Sequence, residues 1–300
     1  MKIKKLRNYS ITGQLLLHIA YMLFAAICLI PVLLVLAISF TPEKTLIAEG
    51  YHLFPSKLSV EAYKYIFSTG SSILRAYGVT IMVTGVGTFL SLAITTLYAY
   101  PISRPDLKYR NFFTFFLFFT MLFSGGLIPT YMVYVKILNI KNTYAAMIVP
   151  MLMGAWNVLV MKSFFQSSIP KEVVESVKVD GGNDWIIFTK IVLPLSLPGL
   201  ATIALFVSVA YWNDWSLPLY YISDQEKFNL QYLLYNIMNN IKFLTENATK
   251  VGEGGQILKD VPSEGARMAM CIMALGPVVC VYPFLQKYFV KGLTVGAVKG

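Results

Sequence analysis

Charge is scarce in this chain: Asp, Glu, Lys and Arg make up 13% of its 300 residues, about half the share of an ordinary soluble domain. With 56% hydrophobic residues and a mean hydropathy of +0.62, that shortage argues against a water-soluble globular fold and for lipid. Only three cysteines occur, Cys28, Cys271 and Cys280, each inside an apolar stretch, so neither a disulfide framework nor a CxxC metal pattern is available. Histidine is rarer still. His18 and His52 lie far apart, the first near the inner end of the first apolar run and the second beyond its outer end, which argues against a histidine-based metal or catalytic site and leaves them as buried or interfacial side chains. No Gly-x4-Gly-Lys-Ser/Thr phosphate loop is present, so the chain does not supply an ATPase site of that kind.

Acidic residues are also outnumbered, 15 against 25 Lys and Arg. A basic surplus suits a polyanion when it gathers into a stripe, but here the cations are dispersed between apolar runs, so nucleic acid is not the expected partner. They read instead as topology signals.

What is abundant is uninterrupted apolar sequence. Six charge-free windows reach the 18 residues that begin to span a bilayer core: Asn8 to Pro42, Ala76 to Ser103, Asn111 to Val135, Asn142 to Met161, Ile191 to Asn213, and Met268 to Gln286. The first run continues to Phe40, too long for a cleaved leader, and reads as a retained helix. The expectation is an all-α membrane protein with six transmembrane helices. An even count puts both termini on one side, and the Lys2 to Arg7 and Arg104 to Arg110 clusters that abut spans favour the cytoplasm. Residues 1–13 are then the cytoplasmic N-terminus and residues 14–300 the six-helix domain. Pro31, Gly85, Gly87, Gly125, Gly126, Pro129, Pro150, Gly276, Pro277 and Pro283 interrupt these windows. In lipid such breaks persist where neighbouring helices or a wet cavity satisfy the freed backbone; ordinary kinks with close helix contacts are the alternative.

The stretch 223–263 is expected on the outer side. Within it Leu230, Leu233, Leu234, Ile237, Met238, Ile241 and Leu244 recur at helical spacing, an apolar face for the membrane surface or a partner protein. The inner loop 167–194 carries the most information. Ser168 can cap a helix with Pro170 in its first turn, and Glu172 to Val177 continue it. Gly181-Gly182 allows a reversal through positive φ, and Asn183 or Asp184 can cap a second helix that stops at Leu193-Pro194. An amphipathic interfacial helix without a partner would share these features.

At this loop the chain resembles the EAA loop of ABC importer permeases, in which Glu-Ala-Ala is followed after three residues by Gly and after nine more by Ile-x-Leu-Pro. Here Glu175-Ser176-Val177 is followed by Gly181 and then by Ile191-Val192-Leu193-Pro194; Ser and Val stand where the family usually has two alanines. Asp180-Gly181-Gly182, Tyr211-Trp212-Asn213-Asp214-Trp215 with Pro218-Leu219, and the ending from Gln286 to Gly300 are similar to the maltose-type and oligosaccharide subfamily. The resemblance covers nearly the whole chain. It implies a type I importer permease of the bacterial cytoplasmic membrane, forming half of the path for a carbohydrate. It implies as partners a second homologous permease, a dimer of ATPase subunits that hold ATP and Mg, and an extracytoplasmic solute-binding protein. Glu175, Ser176, Val177, Asp180, Gly181, Gly182, Ile191, Leu193 and Pro194 would then form the coupling loop, with no cofactor or metal on this chain. A permease for a non-sugar solute is the alternative within the class. A secondary transporter is disfavoured because no ionisable residue except His18 lies inside a window.

For the solute path, Tyr211, Trp212, Asn213, Asp214 and Trp215 can stack on sugar rings and bond hydroxyls, or form an aromatic belt with Asp214 capping locally. Trp156 and Asn157 are a second candidate pair, with interhelical glue as the other reading of Asn157. The run from Phe112 to Phe119 is expected to face lipid or to pack.

Overall fold

The structure is a computed structural model that describes residues 11–68, 71–247 and 263–279. Among the described residues it is all-helical. Helix α1 (Ile11–Ser39) carries Pro31 without a break. At ~1.5 Å per residue its 29 residues exceed the ~30 Å of a bilayer core. Its apolar side chains lie mostly exposed on the chain's own surface, as expected of a helix solvated by lipid. His18 and His52 are exposed as well, so of the two readings, buried or interfacial, the buried one does not hold. The short helices α2 (Glu43–Glu49) and α3 (Glu61–Ser68) precede α4 (Ser71–Ser103), a second uninterrupted span that keeps Gly85 and Gly87 inside the helix.

The next three windows are bent. Asn111 to Val135, expected as one span, holds α5 (Arg110–Leu122) and α6 (Leu127–Met132), the latter running into a π turn at Val133–Ile137, with axes 113° apart. The break lies where Gly126 takes φ +81°, a conformation open to glycine at little cost. α5 alone reaches only about 20 Å. A charge-free window therefore measured apolar length correctly and helix continuity wrongly. α7 (Ala145–Ile148), with a 3-10 turn at Val149–Met151 around Pro150, meets α8 (Ala155–Ser168) at 51°. Two long helices, or up to five spans if each bent pair is one, are found among the described residues. The sixth window extends beyond them.

The chain divides into two compact units. Among the described residues one unit comprises 11–68 with 238–247 and 263–275, the other 71–237 with 276–279. In the first, Glu43 binds the start of the helix at 263–279: its carboxylate accepts from the Ser263 hydroxyl at 3.0 Å and from the Glu264 and Gly265 amides at 3.1 Å each. These are amide groups that no helix can satisfy internally. Tyr51 donates to Glu264, which also pairs with Arg267.

In the second unit α4 is the central helix, packed on α8 and on α12 (Leu197–Asn213). Gly87 permits the closest approach: a Cβ there would lie 2.6–2.8 Å from the Tyr211 ring. Tyr211 is 1% exposed and its hydroxyl donates to the Ile148 carbonyl at 2.8 Å. Three helices thus meet at one aromatic ring. Phe112, Phe113, Phe115, Phe116, Phe118 and Phe119 are all exposed on the chain's surface, in keeping with a lipid-facing or packing role.

Candidate functional site

The loop between α8 and α12 folds as a helical hairpin whose chemistry follows from its sequence. α9 (Lys171–Val179) begins after Pro170, which is its N-cap and supplies no side-chain bond. Ser168, expected to cap it, instead ends α8. The reason is local: the segment Ile169-Pro170 is extended, which separates the serine from the first amides of α9.

The far end of α9 closes with paired backbone bonds. The Gly182 amide donates to the Val177 carbonyl at 2.8 Å and the Gly181 amide to the Lys178 carbonyl at 3.0 Å, the two bonds of a Schellman turn. Gly181 takes φ +82° with open space around it. Gly182 has a different constraint, because a Cβ there would meet the Val177 Cγ1 at 2.5 Å and the Val177 carbonyl oxygen at 2.8 Å. One glycine supplies a backbone conformation and the other supplies room.

Asn183 then caps α10 (Asp184–Ile187), its side-chain oxygen accepting from the Ile186 amide at 2.8 Å. The helix does not stop at Leu193-Pro194 as expected. It widens into a π turn at Phe188–Val192, continues as α11 (Leu193–Leu195) and bends by 77° at Ser196 into α12. Pro194 has no N–H to give the preceding turn, and the wider turn, with Leu193 bonding back five residues to Phe188, carries the helix past it. Ile187, Phe188 and Val192 are buried in the core, Ile191 and Leu193 are half-buried, and Pro194 is exposed.

Glu175, Ser176, Asp180 and Gly181 lie exposed on the hairpin, with Val177 and Gly182 half-buried behind them. Beside them are two residues that the spacing argument did not single out. Val179 is 88% exposed and Trp185 63% exposed, one at each side of the glycine turn and neither within a charge-free window. Their signal was present as apolar residues flanking the turn.

A second omission is ionic. Arg104, directly after α4, donates from Nε and Nη2 to the two oxygens of Asp106, and from Nη1 to the Asp184 carboxylate at 3.0 Å and the Tyr100 hydroxyl at 2.8 Å. Lys178 of α9 adds a bond to Asp106 at 3.2 Å. The Arg104 guanidinium beside Asp106 holds its carboxyl well below the usual carboxylate range. In the sequence Arg104 stands out only as a topology marker. A cleft of about 470 Å³ opens between α9 and the ends of α4 and α8, lined by Tyr100, Arg104, Phe165, Val174, Glu175 and Lys178 among others.

The seven solute-path candidates are not brought to one place. Tyr211 and Trp212 are buried in the core, while Asn213, Trp215 and Trp156 are exposed and Asn157 half-exposed beside Gly154. Asp214 accepts at one carboxylate oxygen from the Ser216 amide and hydroxyl and the Leu217 amide, capping α13 (Ser216–Tyr221). Its backbone carbonyl accepts from Asn229. Trp215 stacks on Tyr235 with centroids 4.6 Å apart, where Tyr235 belongs to α14 (Leu230–Asn247). The apolar face expected on α14 is partly consumed internally, since Leu230, Leu234 and Ile241 are buried. No cluster of metal-ligating side chains occurs among the described residues.

Comparison with known proteins places this hairpin in a family. The chain is 41% identical over 287 residues to the polygalacturonan/rhamnogalacturonan transport system permease protein YtcP of Bacillus subtilis, covering 96% of this chain and 98% of that protein. It is 29% identical to the arabinooligosaccharides transport system permease protein AraQ of Halalkalibacterium halodurans, over 95% of this chain and 96% of that one. Its fold matches the crystal structure of a bacterial ABC transporter involved in the import of the acidic polysaccharide alginate, with a TM-score of 0.76, 26% identity, and coverage of 94% of this chain and 99% of that one. A separate subunit hydrolyses ATP in ABC importers, and the permease is not itself an enzyme. Residues 86–295, which include the whole hairpin, match the model of the binding-protein-dependent transport system inner membrane component, and the chain belongs to that family.

Proposed function

We propose that this permease forms half of the translocation path for an oligosaccharide, and that the hairpin 167–194 is the coupling loop through which a separate ATPase drives it. Six spans with both termini in the cytoplasm put that loop on the ATPase side. A second homologous permease would complete the path, an ATPase dimer would bind ATP and Mg, and an extracytoplasmic binding protein would deliver the solute. The observation that carries the coupling reading is the Schellman-locked turn with Val179 and Trp185 exposed on either side of it. Large apolar side chains on a rigid polar loop are what a peripheral subunit can receive in a groove. Trp156, Asn157, Asn213 and Trp215 are the path candidates open to a partner or solute; Tyr211, Trp212 and Asp214 would support them from the core and the cap.

The carbohydrate reading is supported by relatives named for the transport of polygalacturonan/rhamnogalacturonan and of arabinooligosaccharides, and by the likeness to the alginate importer. Uptake of galacturonate oligosaccharides and of neutral ones by cells with and without this chain tests it, and equal uptake of both classes in the two strains would refute it. For coupling, Gly181→Trp puts a bulky residue at φ +82° with open space around it. The protein is expected in the membrane without its ATPase, and inactive in uptake. Normal uptake with normal solute-stimulated hydrolysis would overturn the assignment.

A further inference from the structure

The hairpin is held to the rest of its unit in an uneven way. Its second half is packed: Ile187, Phe188 and Val192 are buried, and Tyr100 of α4 meets Phe188 with ring centroids 5.1 Å apart. Its first half is backed only in part: Val174 and Val177 pack against the core, and beside them opens the cleft of about 470 Å³ lined by Glu175 and Lys178 of α9, Tyr100 and Ser103 of α4 and Phe165 of α8. A packed contact transmits displacement because interiors are dense and resist compression. An open cleft does not, so on the side of α9 that faces the cleft displacement is carried by polar contacts that bridge the gap.

Three ion pairs centred on one side chain supply that bridge. Arg104 is 13% exposed and touches Tyr100, Asp106 and Asp184, and Asp106 in turn touches Lys178. The start of α10 directly, and the tail of α9 by way of Asp106, are therefore both braced by one guanidinium at the end of α4, in addition to the Tyr100–Phe188 contact. Its planar fork fixes the direction of each bond, which a lysine ammonium would not. α4 is also the helix whose Gly87 rests on Tyr211 of α12, so whatever turns the end of α4 acts on the centre of the unit.

We propose that Arg104 is a positioning residue for transport: it ties both helices of the coupling hairpin to α4, so that movement imposed on the hairpin by the ATPase reaches the transmembrane bundle. This inference rests on the coupling reading above. It adds to that reading the part that carries motion inward, as distinct from the part that docks.

The test uses the complete transporter, with its second permease, ATPase and binding protein, in proteoliposomes. With the native cysteines replaced, an environment-sensitive label is placed on α9 through Glu172→Cys, or on the exposed face of α4 through Leu97→Cys. ATP with vanadate then traps the ATPase closed. Both labels are expected to respond in the parent. In Arg104→Gln the α9 response is expected to persist while the α4 response falls about three- to thirtyfold, and Arg104→Lys is expected to recover part of it. An unchanged α4 response in Arg104→Gln overturns the inference. If that variant does not assemble, Asp184→Asn removes one bond at a largely exposed carboxylate and decides in its place, an unchanged α4 response again being the refuting result. Failure of the docking reading looks different: the ATPase would stay bound to Gly181→Trp, and the α9 label would be silent to ATP in the parent.

Discussion

Replacing Gly182 with alanine tests whether the two glycines of the hairpin turn do separate jobs. The added Cβ would stand 2.5 Å from the Val177 Cγ1 and 2.8 Å from the Val177 carbonyl oxygen, where carbon contacts ordinarily sit at about 3.5–4.0 Å. Overlap of that size costs about 1–3 kcal/mol. Nine residues of helix have little stability of their own, so the cost falls on the turn and opens it. Every ~1.4 kcal/mol is tenfold, and amide exchange across 171–182 is expected to speed up by about 5- to 150-fold, read by hydrogen–deuterium exchange of the purified transporter. Val177→Ala removes the methyl and leaves the carbonyl. Adding it to Gly182→Ala should restore about 1 kcal/mol of protection, a coupling typical of residues in contact. Gly181→Ala should cost a similar ~1–2 kcal/mol through its left-handed backbone, and Val177→Ala should not relieve it. Exchange in Gly182→Ala as slow as in the parent, or equal rescue of both glycine variants by Val177→Ala, would refute the division of labour.

Two further outcomes follow from the packing and the ion pairs. Gly87→Ala drives a methyl into the Tyr211 ring at 2.6–2.8 Å and is expected to lower stability by about 1–3 kcal/mol, measured as an earlier thermal transition in detergent; an unchanged transition would show that α4 and α12 can separate freely there. The Asp106 carboxyl is held below its ordinary value by Arg104 and Lys178, so its contribution is complete above the unfolded value of ~3.9 and is lost only as pH falls through the lower folded value. Intrinsic-rate-corrected exchange of the hairpin should therefore be flat from about pH 5 to 8, and a loss of protection within that window would contradict the pairing.

Much of the hairpin was readable in advance because each of its constraints is local. A glycine pair, an asparagine three residues before an amide in need of an acceptor, and a proline that limits helix hydrogen bonding all act within a few positions of themselves. Boundaries suffered where two local effects compete: Pro194 ends a helix in isolation, yet here a π turn carries the helix past it to Leu195. The 113° break at Gly126 was signalled by Gly125-Gly126 but concealed by the absence of charge, since hydropathy records composition and not direction. Arg104 was legible as a charge and illegible as a clamp, because Asp184 lies 80 residues away in sequence and nothing in the chain's order pairs them. The path candidates failed to gather for the same reason: adjacent residues from Tyr211 to Trp215 alternate between core, cap and surface once a helix ends among them.

The contact of Glu43 with the start of the helix at 263–279 bears on how freely this protein can vary. That helix start is held by a carboxylate 220 residues earlier in the chain. The first turn of a late helix therefore depends on an early one: a change at Glu43 of α2 removes the acceptor of two amides and a hydroxyl at 263–265, so the two positions are tied across the chain although no element between them carries the tie.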